Sequence, residues 1–252
     1  MAAAVSILAL NAAQAAEIPG MPVVARGTAT IAVDGGSTIV TQTTAKAVID
    51  WSELSVQSGN TLRFDQPDAN SITLNRITGS GISNIDGTIT ANGQVWLLNS
   101  SGVILGSGAR IRTGGFLATT HDIDNDDFMA GRYDFSGGGE GEIANDGEIT
   151  VENGYAVLAG GKISNSGLVS ARLGTIALLG GRGFSLDLAG DKLLSFQITE
   201  PLAIVAADGV INNSGRLIAN GGRVILTARG AADAAASTIN SGGLVQAQSV
   251  GL

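Results

Sequence analysis

The sequence predicts an all-β fold, a right-handed parallel β-helix in which short strands coil around one apolar core. After residue 20, short runs rich in Ile, Val and Thr are bounded by Gly, Asn and Asp, and no period of 3.6 residues persists. The 252 residues include 37 Gly and only 4 Pro, which favours many tight turns over a Pro-rich linker. Aromatic residues make up only 4% of the chain, so Ile, Val, Leu and Ala must form the core.

An internal repeat gives the size of one predicted coil. Ile143-Ala-Asn-Asp-Gly147 recurs 20 residues later as Ile163-Ser-Asn-Ser-Gly167, and again as Ile211-Asn-Asn-Ser-Gly215. Residues 239–243 are a looser copy, and residues 82–87 are an earlier copy with one extra residue. One such unit cannot bury its own apolar face, so its stability depends on stacking against neighbouring coils.

The repeat places one asparagine at the same position in each coil. Gly, and to a lesser degree Asn, tolerates the left-handed backbone conformation where a coil turns a corner. We therefore expect Asn145, Asn165 and Asn213 to lie at one corner of successive coils. Amides stacked in this way can hydrogen-bond along the helix axis. These three residues are called the corner ladder below.

A hairpin is predicted where the solenoid begins. Residues 28–34 alternate between polar and apolar side chains, Asp34-Gly35-Gly36 supplies a tight turn, and residues 37–44 form the returning strand. Such a cap covers a strand edge that would otherwise pair with other chains. Residues 46–51 are predicted to follow as a strand whose apolar side chains, Val48, Ile49 and Trp51, are partly buried.

Four segments in order carry a resemblance to a known family. They are IVTQTTAKAVIDW (residues 39–51), RFDQPDANSITLNRITG (63–79), IDGTITANGQVWLLNSSGVILGSGARI (85–111) and GGFLATTHDIDNDDFMAGRYDF (114–135). The series resembles the secretion domain of two-partner secretion exoproteins of the filamentous haemagglutinin type, also called the haemagglutination-activity domain. Residues 183–201 contain two alternating runs that fit two ordinary strands of the coil, and the resemblance implies a hairpin outside the helix there.

The resemblance also implies a function and a partner. The chain is expected to be the export-targeting domain of a large secreted or surface adhesin, recognised by an outer-membrane β-barrel transporter with periplasmic recognition domains. It would pass through the periplasm, fold outside the cell as a monomer and nucleate the β-helix. Receptors on host or bacterial cells would be bound by a C-terminal region beyond this sequence.

The same resemblance points to particular residues. Those implied in transporter recognition or in turn formation are Asn70, Asn75, Arg76, Asn92, Gly93, Asn99 and Gly102. The export motif of the family is Asn-Pro-Asn-Gly followed by an apolar residue. Here Asn99-Ser100-Ser101-Gly102 keeps the first Asn and the Gly, and four residues of this type can still form a tight turn. Direct recognition and turn formation are both open as roles for Asn99 and Gly102.

Three parts of the chain are expected. Residues 1–16 resemble a secretory signal peptide that lacks its positively charged start, with an apolar run at 2–10 and an A-x-A cleavage site at 13–15. Residues 17–205 are predicted to be the secretion domain. Residues 206–252 resemble the first repeats of a further β-helix and stop within a repeat, so we expect the chain to be part of a longer exoprotein.

Other functions find little support in the sequence. The formal charge is −8 with scattered Lys and Arg, which argues against nucleic acid as a partner. No Cys is present, and a Ser–His–Asp triad would depend on His121, the only histidine, so no catalytic residue or cofactor is predicted. Residues 122–127 resemble the start of a Ca²⁺ loop, but Asp127 replaces the Gly and Tyr133 the final Glu. A solvated acidic loop without a metal is therefore expected there.

Two alternatives remain open at this stage. One is a glycan-active β-helix enzyme, which would be favoured by a carboxylate cluster on one face of the folded helix. The other is the carrier domain of a secreted toxin or haem-scavenging exoprotein. A fold does not by itself fix a function, so the arrangement of side chains must distinguish these classes.

Overall fold

A computed structural model describes residues 20–188, 195–202, 210–229 and 239–248. The predicted signal peptide and the last four residues of the chain lie outside the described residues. Within the described part, the regular structure is almost entirely strand. None of its helical structure has the length and apolarity that crossing a membrane requires.

The first half of the described chain forms twelve strands and ends in a short helix. They are β1 (Val23–Arg26), β2 (Ala29–Asp34), β3 (Ser37–Gln42), β4 (Lys46–Trp51), β5 (Thr61–Asp65), β6 (Ile72–Ile77), β7 (Ser83–Ile85), β8 (Thr88–Ala91), β9 (Gln94–Leu98), β10 (Gly102–Leu105), β11 (Arg110–Thr113), β12 (Gly115–Thr119) and α1 (Asn125–Ala130).

The described residues that follow α1 continue as short strands. They are β13 (Tyr133–Phe135), β14 (Glu142–Asn145), β15 (Glu148–Glu152), β16 (Tyr155–Gly160), β17 (Lys162–Asn165), β18 (Leu168–Arg172), β19 (Thr175–Gly180), β20 (Gly183–Asp187), β21 (Ser195–Glu200), β22 (Ile211–Asn213), β23 (Arg216–Ile218), β24 (Arg223–Ala228), β25 (Ile239–Ser241) and β26 (Leu244–Gln246).

Three long sheets form the walls of a β-helix. Sheet A has the order β1-β4-β6-β9-β12-β16-β19-β24, sheet B the order β2-β3-β5-β8-β11-β15-β18-β23-β26, and sheet C the order β25-β22-β17-β14-β10-β7. Within these three sheets, successive strands of the chain pass from one sheet to the next. Beyond the cap, neighbouring strands of each sheet pair in parallel with the strand of the adjacent coil, as β19 does with β16. This topology confirms the predicted all-β parallel β-helix.

The interior of the helix is one apolar core to which all three sheets contribute. Because alternate residues of a strand face the same side, equivalent positions in successive coils stack on one another. On sheet B, Ile89, Ile111 and Ile149 are such a stack and are fully buried. Sheet A supplies Phe116 and sheet C supplies Ile143 to the same cluster. Each buried side chain of this size stabilises the fold by roughly 1.5–3 kcal/mol, which is why coils depend on their neighbours.

The predicted N-terminal cap is present. Strands β2 and β3 pair as an antiparallel hairpin in which Asp34 lies opposite Ser37 across the Gly35-Gly36 turn. Strand β1 pairs antiparallel with β4 at the edge of sheet A. Val48, Ile49 and Trp51 of β4 are fully buried, so the expectation of partial burial was wrong. The reason is that sheet A is covered on both faces.

An antiparallel sheet outside the helix covers sheet A. Its order is β13-β20-β21, and β20 and β21 are the hairpin implied by the family resemblance. The structure adds β13, which precedes β20 in the chain by two whole coils. A second apolar cluster lies between this outer sheet and sheet A. Its largest buried side chains include Leu74, Trp96, Phe128, Tyr133, Phe135, Tyr155 and Phe184.

The acidic run at residues 122–127 is non-helical up to the N-cap Asp124 and enters α1 at Asn125, so the prediction of a loop was wrong for residues 125–127 only. Asp124 is the N-cap, because its carboxylate accepts hydrogen bonds from the backbone N–H groups of Asp126 and Asp127 at 2.8 and 3.1 Å. Phe128 is fully buried and its ring centroid lies 5.4 Å from that of Trp96. The cap and this apolar contact stabilise a helical turn that composition alone does not indicate.

Candidate functional site

The residues that the resemblance assigns to recognition lie on consecutive coils, on or beside β6, β9 and β10. Asn70 is in the connection before β6 and is exposed. Its backbone N–H donates to the carboxylate of Asp68 at 2.8 Å, and its carbonyl accepts from the side chain of Gln94 at 3.4 Å. Asn70 therefore keeps a free side chain at the surface while its backbone shapes the turn.

Asn75 lies on β6 with its side chain fully buried. Its amide oxygen accepts a 3.0 Å hydrogen bond from the indole N–H of Trp51. Its amide nitrogen donates to the carbonyl oxygens of Trp96 at 3.2 Å and Thr73 at 3.3 Å. Every polar atom of the Asn75 side chain is thus committed to holding β4, β6 and β9 together.

Arg76 ties β6 to the segment that leads into α1. Its guanidinium donates to the carboxylate of Asp122 at 2.8 Å, to the side-chain oxygen of Asn125 at 2.7 Å and to the carbonyl of Ile123 at 2.6 Å. A fourth contact, with Asp50, is 3.3 Å long. The Arg76 side chain is only 16% exposed, whereas the Asp122 side chain is 62% exposed, so solvent screens the ion pair with Asp122.

Asn92 and Gly93 form the corner between β8 and β9. The Asn92 side chain accepts from the backbone N–H of Gln66 at 2.8 Å and donates to the backbone carbonyl of Gln66 at 2.7 Å, as a paired strand would. A Cβ at position 93 would lie 2.6 Å from the side-chain oxygen of Gln66 and 2.7 Å from the carbonyl oxygen of Ser71. Only glycine fits at such a close approach.

Asn99 and Gly102 form a tight turn between β9 and β10. The backbone N–H of Gly102 donates to the Asn99 carbonyl at 2.9 Å, and Gly102 has a φ of 114°. The Asn99 amide oxygen accepts from the Ser101 N–H, and its nitrogen donates to the Gly81 carbonyl and the Ser83 hydroxyl, each at 2.9 Å. Asn99 is 1% exposed, so its amide is turned into the domain.

The folded domain does not bring these seven residues together as one surface. Asn75, Gly93, Asn99 and Gly102 are buried, Arg76 is half-buried, and Asn70 and Asn92 are exposed. Their shared property is that they fix corners and strand contacts in the early coils.

Sequence reasoning missed two buried glutamines that support this region. The side-chain nitrogen of Gln66 donates to the carbonyls of Ser71 and Gln94 and to the Thr73 hydroxyl, at 3.2, 3.0 and 3.0 Å. The Thr73 hydroxyl in turn donates to the side-chain oxygen of Gln42 at 2.5 Å. The available signal was that Gln42 falls at an inward position of an alternating strand, where a polar side chain needs buried partners.

The corner ladder is a continuous chain of side-chain hydrogen bonds. The amide nitrogen of Asn145 donates to the amide oxygen of Asn165, and that of Asn165 donates to the amide oxygen of Asn213, each at 2.7 Å. Asn213 then donates to the Ser241 hydroxyl at 3.2 Å. The three asparagines are at most 2% exposed, so their amides bond to neighbouring coils of the stack and not to solvent.

His121 is buried under the outer sheet. Its Nδ1 lies 2.9 Å from the Thr119 hydroxyl and its Nε2 lies 3.0 Å from the carbonyl oxygen of Gly181. The ring packs edge-on against Phe184. Burial disfavours the charged ring and lowers the pKa of His121 from 6.5 to about 4. Its partners are a hydroxyl and a backbone carbonyl, an arrangement that anchors the outer sheet.

The acidic run beside His121 has structural partners of its own. The backbone N–H groups of Asp127 and Asp126 hold the pKa of Asp124 below its usual range. Asp122 pairs with Arg76, and Asp127 pairs with Arg132. Across the segments that the structure describes, no group of three or more His, Asp or Glu side chains is placed to hold a metal ion.

Comparison with known proteins identifies the class. The family described as the TPS secretion domain, the secretion domain of two-partner secretion exoproteins, matches residues 18–252. The chain belongs to this family, which confirms the resemblance. The β-helix with its N-terminal cap and outer sheet is thus the fold of a secretion domain.

Individual relatives and a solved structure support this family assignment. The chain is 35% identical over 152 residues to a heme/hemopexin-binding protein of Haemophilus influenzae (strain ATCC 51907 / DSM 11121 / KW20 / Rd), covering 59% of this chain and 16% of the relative. A second Haemophilus influenzae protein of that name is 37% identical over 97 residues, covering 38% and 10%. The crystal structure of the HMW1 secretion domain from Haemophilus influenzae matches with a TM-score of 0.66 at 29% identity, over 82% of this chain and 65% of that one.

The match defines a role and a kind of partner. The matched region spans about a sixth or less of the two curated relatives. Exoproteins of this family are secreted across the outer membrane of Gram-negative bacteria. The domain is export-targeting, and family membership implies a cognate outer-membrane transporter as its partner.

Proposed function

We propose that the transporter recognises this chain in the periplasm while the chain is extended, and that the same segment then nucleates the β-helix outside the cell. One observation carries the proposal: side chains assigned to recognition are buried in the folded domain. Asn75 and Asn99 are 0% and 1% exposed. Their amides already have protein partners. A transporter can contact those amides only before the domain folds.

Binding of the transporter to the same amides in the folded domain would be unfavourable. Each buried group that loses its partner costs about 1–3 kcal/mol, and Asn99 alone has three such partners. In an extended chain these amides are free, and so are the backbone N–H and C=O groups. We infer recognition by strand addition to a periplasmic domain of the transporter, where backbone hydrogen bonds give affinity and alternate side chains give specificity.

The order of the coils suits a chain that leaves the transporter with its N-terminus first. The cap hairpin comes first, and each later strand of sheet A finds its partner one coil behind it, as β6 does on β4 and β9 does on β6. Folding can therefore proceed by short loop closures. In this proposal the full exoprotein is secreted or held at the cell surface after passing through the periplasm.

The two alternative functions gain no support from the site. Among the described residues there is no carboxylate cluster of the kind a metal-dependent glycan lyase needs. Two relatives are named heme/hemopexin-binding protein, but His121, the only histidine of this sequence, uses both ring nitrogens in the fold. We propose that any haem or receptor specificity of the whole exoprotein lies outside this domain.

A binding experiment with the purified periplasmic domains of the cognate transporter tests the proposal. The folded wild-type chain is compared with Gly154→Val, in which a Cβ would lie 1.7 Å from the Gly114 carbonyl oxygen and block the corner between β15 and β16. Circular dichroism first verifies that this variant is unfolded. We expect capture of Gly154→Val and weak capture of the folded wild type.

A second variant separates side-chain recognition from non-specific binding of unfolded chains. Adding Asn75→Ala and Asn99→Ala to Gly154→Val should weaken binding by about tenfold, the equivalent of about one hydrogen bond. Adding Asn145→Ala and Asn165→Ala instead provides a matched control that should leave binding unchanged. Preferential capture of the folded wild type would overturn the proposal, and equal binding of all unfolded variants would remove the role of Asn75 and Asn99.

A further inference from the structure

The outer face of sheet A is apolar over six coils. Its central row consists of residues in register with one another, and all are 0% exposed: Val48, Leu74, Trp96, Leu117, Val157 and Ala177. A coil stack without a cover would present this row to water as one long apolar patch. The row ends at β24, where the next residue in register, Ile225, is half-exposed and Arg223 is exposed.

The cover comes from two separate parts of the chain. The first part includes α1 and β13, and the second includes β20 and β21. They meet where β13 pairs antiparallel with β20 and the rings of Phe135 and Phe184 stack 4.5 Å apart with an angle of 6° between them. Two complete coils, from β14 to β19, lie between these strands in the chain.

Polar contacts attach both parts of the cover to the β-helix. Lys46 on β4 donates to the Phe128 carbonyl at the end of α1 at 2.9 Å. Near the second part, His121 contacts the Gly181 carbonyl at 3.0 Å. Beyond β21, the backbone N–H of Leu202 donates to the carbonyl of Arg229, just after β24, at 2.8 Å. The cover is thus attached at an early coil and at a late one.

We propose that the outer sheet, β13-β20-β21, is a latch that joins the coils from β4 to β19 into one cooperative unit. A plain solenoid opens coil by coil from its ends, because each repeat contacts only its neighbours. Here β16 and β19 cannot leave the stack without breaking the β13–β20 pairing and uncovering Trp96. The coils therefore open together, and the outer sheet is complete only after residues as far as Glu200 have been added.

The latch goes beyond the export function proposed above, and only its consequence for export rests on that proposal. A chain emerging from a transporter would remain able to unstack until the latch closes, and would then be held outside. The latch itself is a property of the isolated protein, so it can be tested with no transporter present.

Hydrogen exchange followed by mass spectrometry on the folded chain measures which strands open together. In the wild type we expect amides of β9, β12, β16 and β19 to exchange with one common opening free energy, and those of β24 to exchange faster. A graded rise in exchange from β9 through β19 to β24 would overturn the latch. This comparison needs no variant, so it holds even if a substituted chain fails to fold.

Two matched substitutions sharpen the test. Phe184→Leu weakens the latch, and Phe116→Leu makes the same change in the inner core of β12, since both rings are almost fully buried. In Phe184→Leu we expect β16 and β19 to exchange about tenfold faster than β9 and β12. In Phe116→Leu all four strands should shift by one factor. The same pattern in both variants would contradict the proposal, whatever the outcome of the transporter-binding experiment.

Discussion

Asn145 and Asn165 lie at the same corner of neighbouring coils, and the amide nitrogen of Asn145 donates a 2.7 Å hydrogen bond to the amide oxygen of Asn165. Asn165 makes the same bond to Asn213. Because an amide is both a donor and an acceptor, the pattern extends along the helix axis and fixes the register of each new coil. A slip of one residue would break these bonds and turn apolar side chains outward.

Asn165→Leu should therefore destabilise the domain by about 1–3 kcal/mol, because the buried amides of Asn145 and Asn213 lose a partner. The measurement is the midpoint of urea unfolding. Ser164→Ala is the control, since Ser164 is the half-buried neighbour that faces away from the core. An unchanged midpoint for Asn165→Leu would show that the ladder does not hold the coils.

Asn99→Ala should lower the unfolding free energy by about 2 kcal/mol, because the Gly81 carbonyl and the Ser101 N–H lose a buried partner. Secretion should fall with it, since the turn and the proposed recognition depend on one amide. Ser100→Ala, at an exposed position of the same turn, is the control for both measurements. Normal stability together with normal secretion of Asn99→Ala would contradict both roles of the residue.

Leu173→Asn should stabilise the domain by about 0.5–1 kcal/mol, since a branched side chain is strained in the left-handed region. Leu173 has a φ of 56° and is 47% exposed. The equivalent positions one coil earlier and later hold Asn153 and Gly221, with φ values of 56° and 74°. Thermal unfolding checks the gain. Leu168→Asn, on the neighbouring strand, should give no gain, and equal effects of both changes would rule out backbone strain as the cause.

The folding stability of the domain should fall as the pH is lowered, because of the protonation of His121. The pKa of this residue is lowered by burial from 6.5 to about 4, so between these pH values the unfolded chain binds the extra proton. The contribution is fully present above about pH 6.5 and is lost progressively as the pH falls towards 4. Between pH 7.5 and pH 5 the loss should be about 2 kcal/mol.

The control for this pH effect is His121→Gln, which keeps a hydrogen-bonding side chain but does not titrate. Urea unfolding at the two pH values gives the loss for each protein, and the difference between the proteins isolates His121 from the carboxylates. An equal loss in the wild type and in His121→Gln would show that the buried ring is not responsible.

Short-range sequence patterns predicted the elements that are formed by residues close together in the chain or by the repeat. The alternation around Asp34-Gly35-Gly36 predicted the cap, and the repeat around Asn145 and Asn165 predicted strands that pair in register. The third outer strand was missed because β13 pairs with β20 across two coils, a contact that no local period records. For the same reason Val48 was expected to be only partly buried, although the outer cluster covers it completely.

Long-range contacts also escaped prediction at the candidate recognition residues. The family resemblance selected Asn75, Arg76 and Asn99. Besides local partners, Asn75 and Asn99 bond to Trp96 and Gly81 on other coils, and Arg76 bonds to Ile123 in the segment that leads into α1. Nothing within the motif itself shows that the Asn99 amide turns inward. The domain boundaries at residues 16 and 205 and the recognition role of the seven residues remain predictions.

Dependence of secretion on the transporter is the most direct test of the central claim, that this domain directs export. The chain is expressed behind a secretory signal peptide in a Gram-negative host, with and without the cognate transporter. The amounts in the periplasm, on the surface and in the medium are then measured. We predict that the chain reaches the surface or the medium only with the transporter and stays in the periplasm without it. Equal amounts outside the cell in both strains, or retention in the periplasm when the transporter is present, would contradict the account.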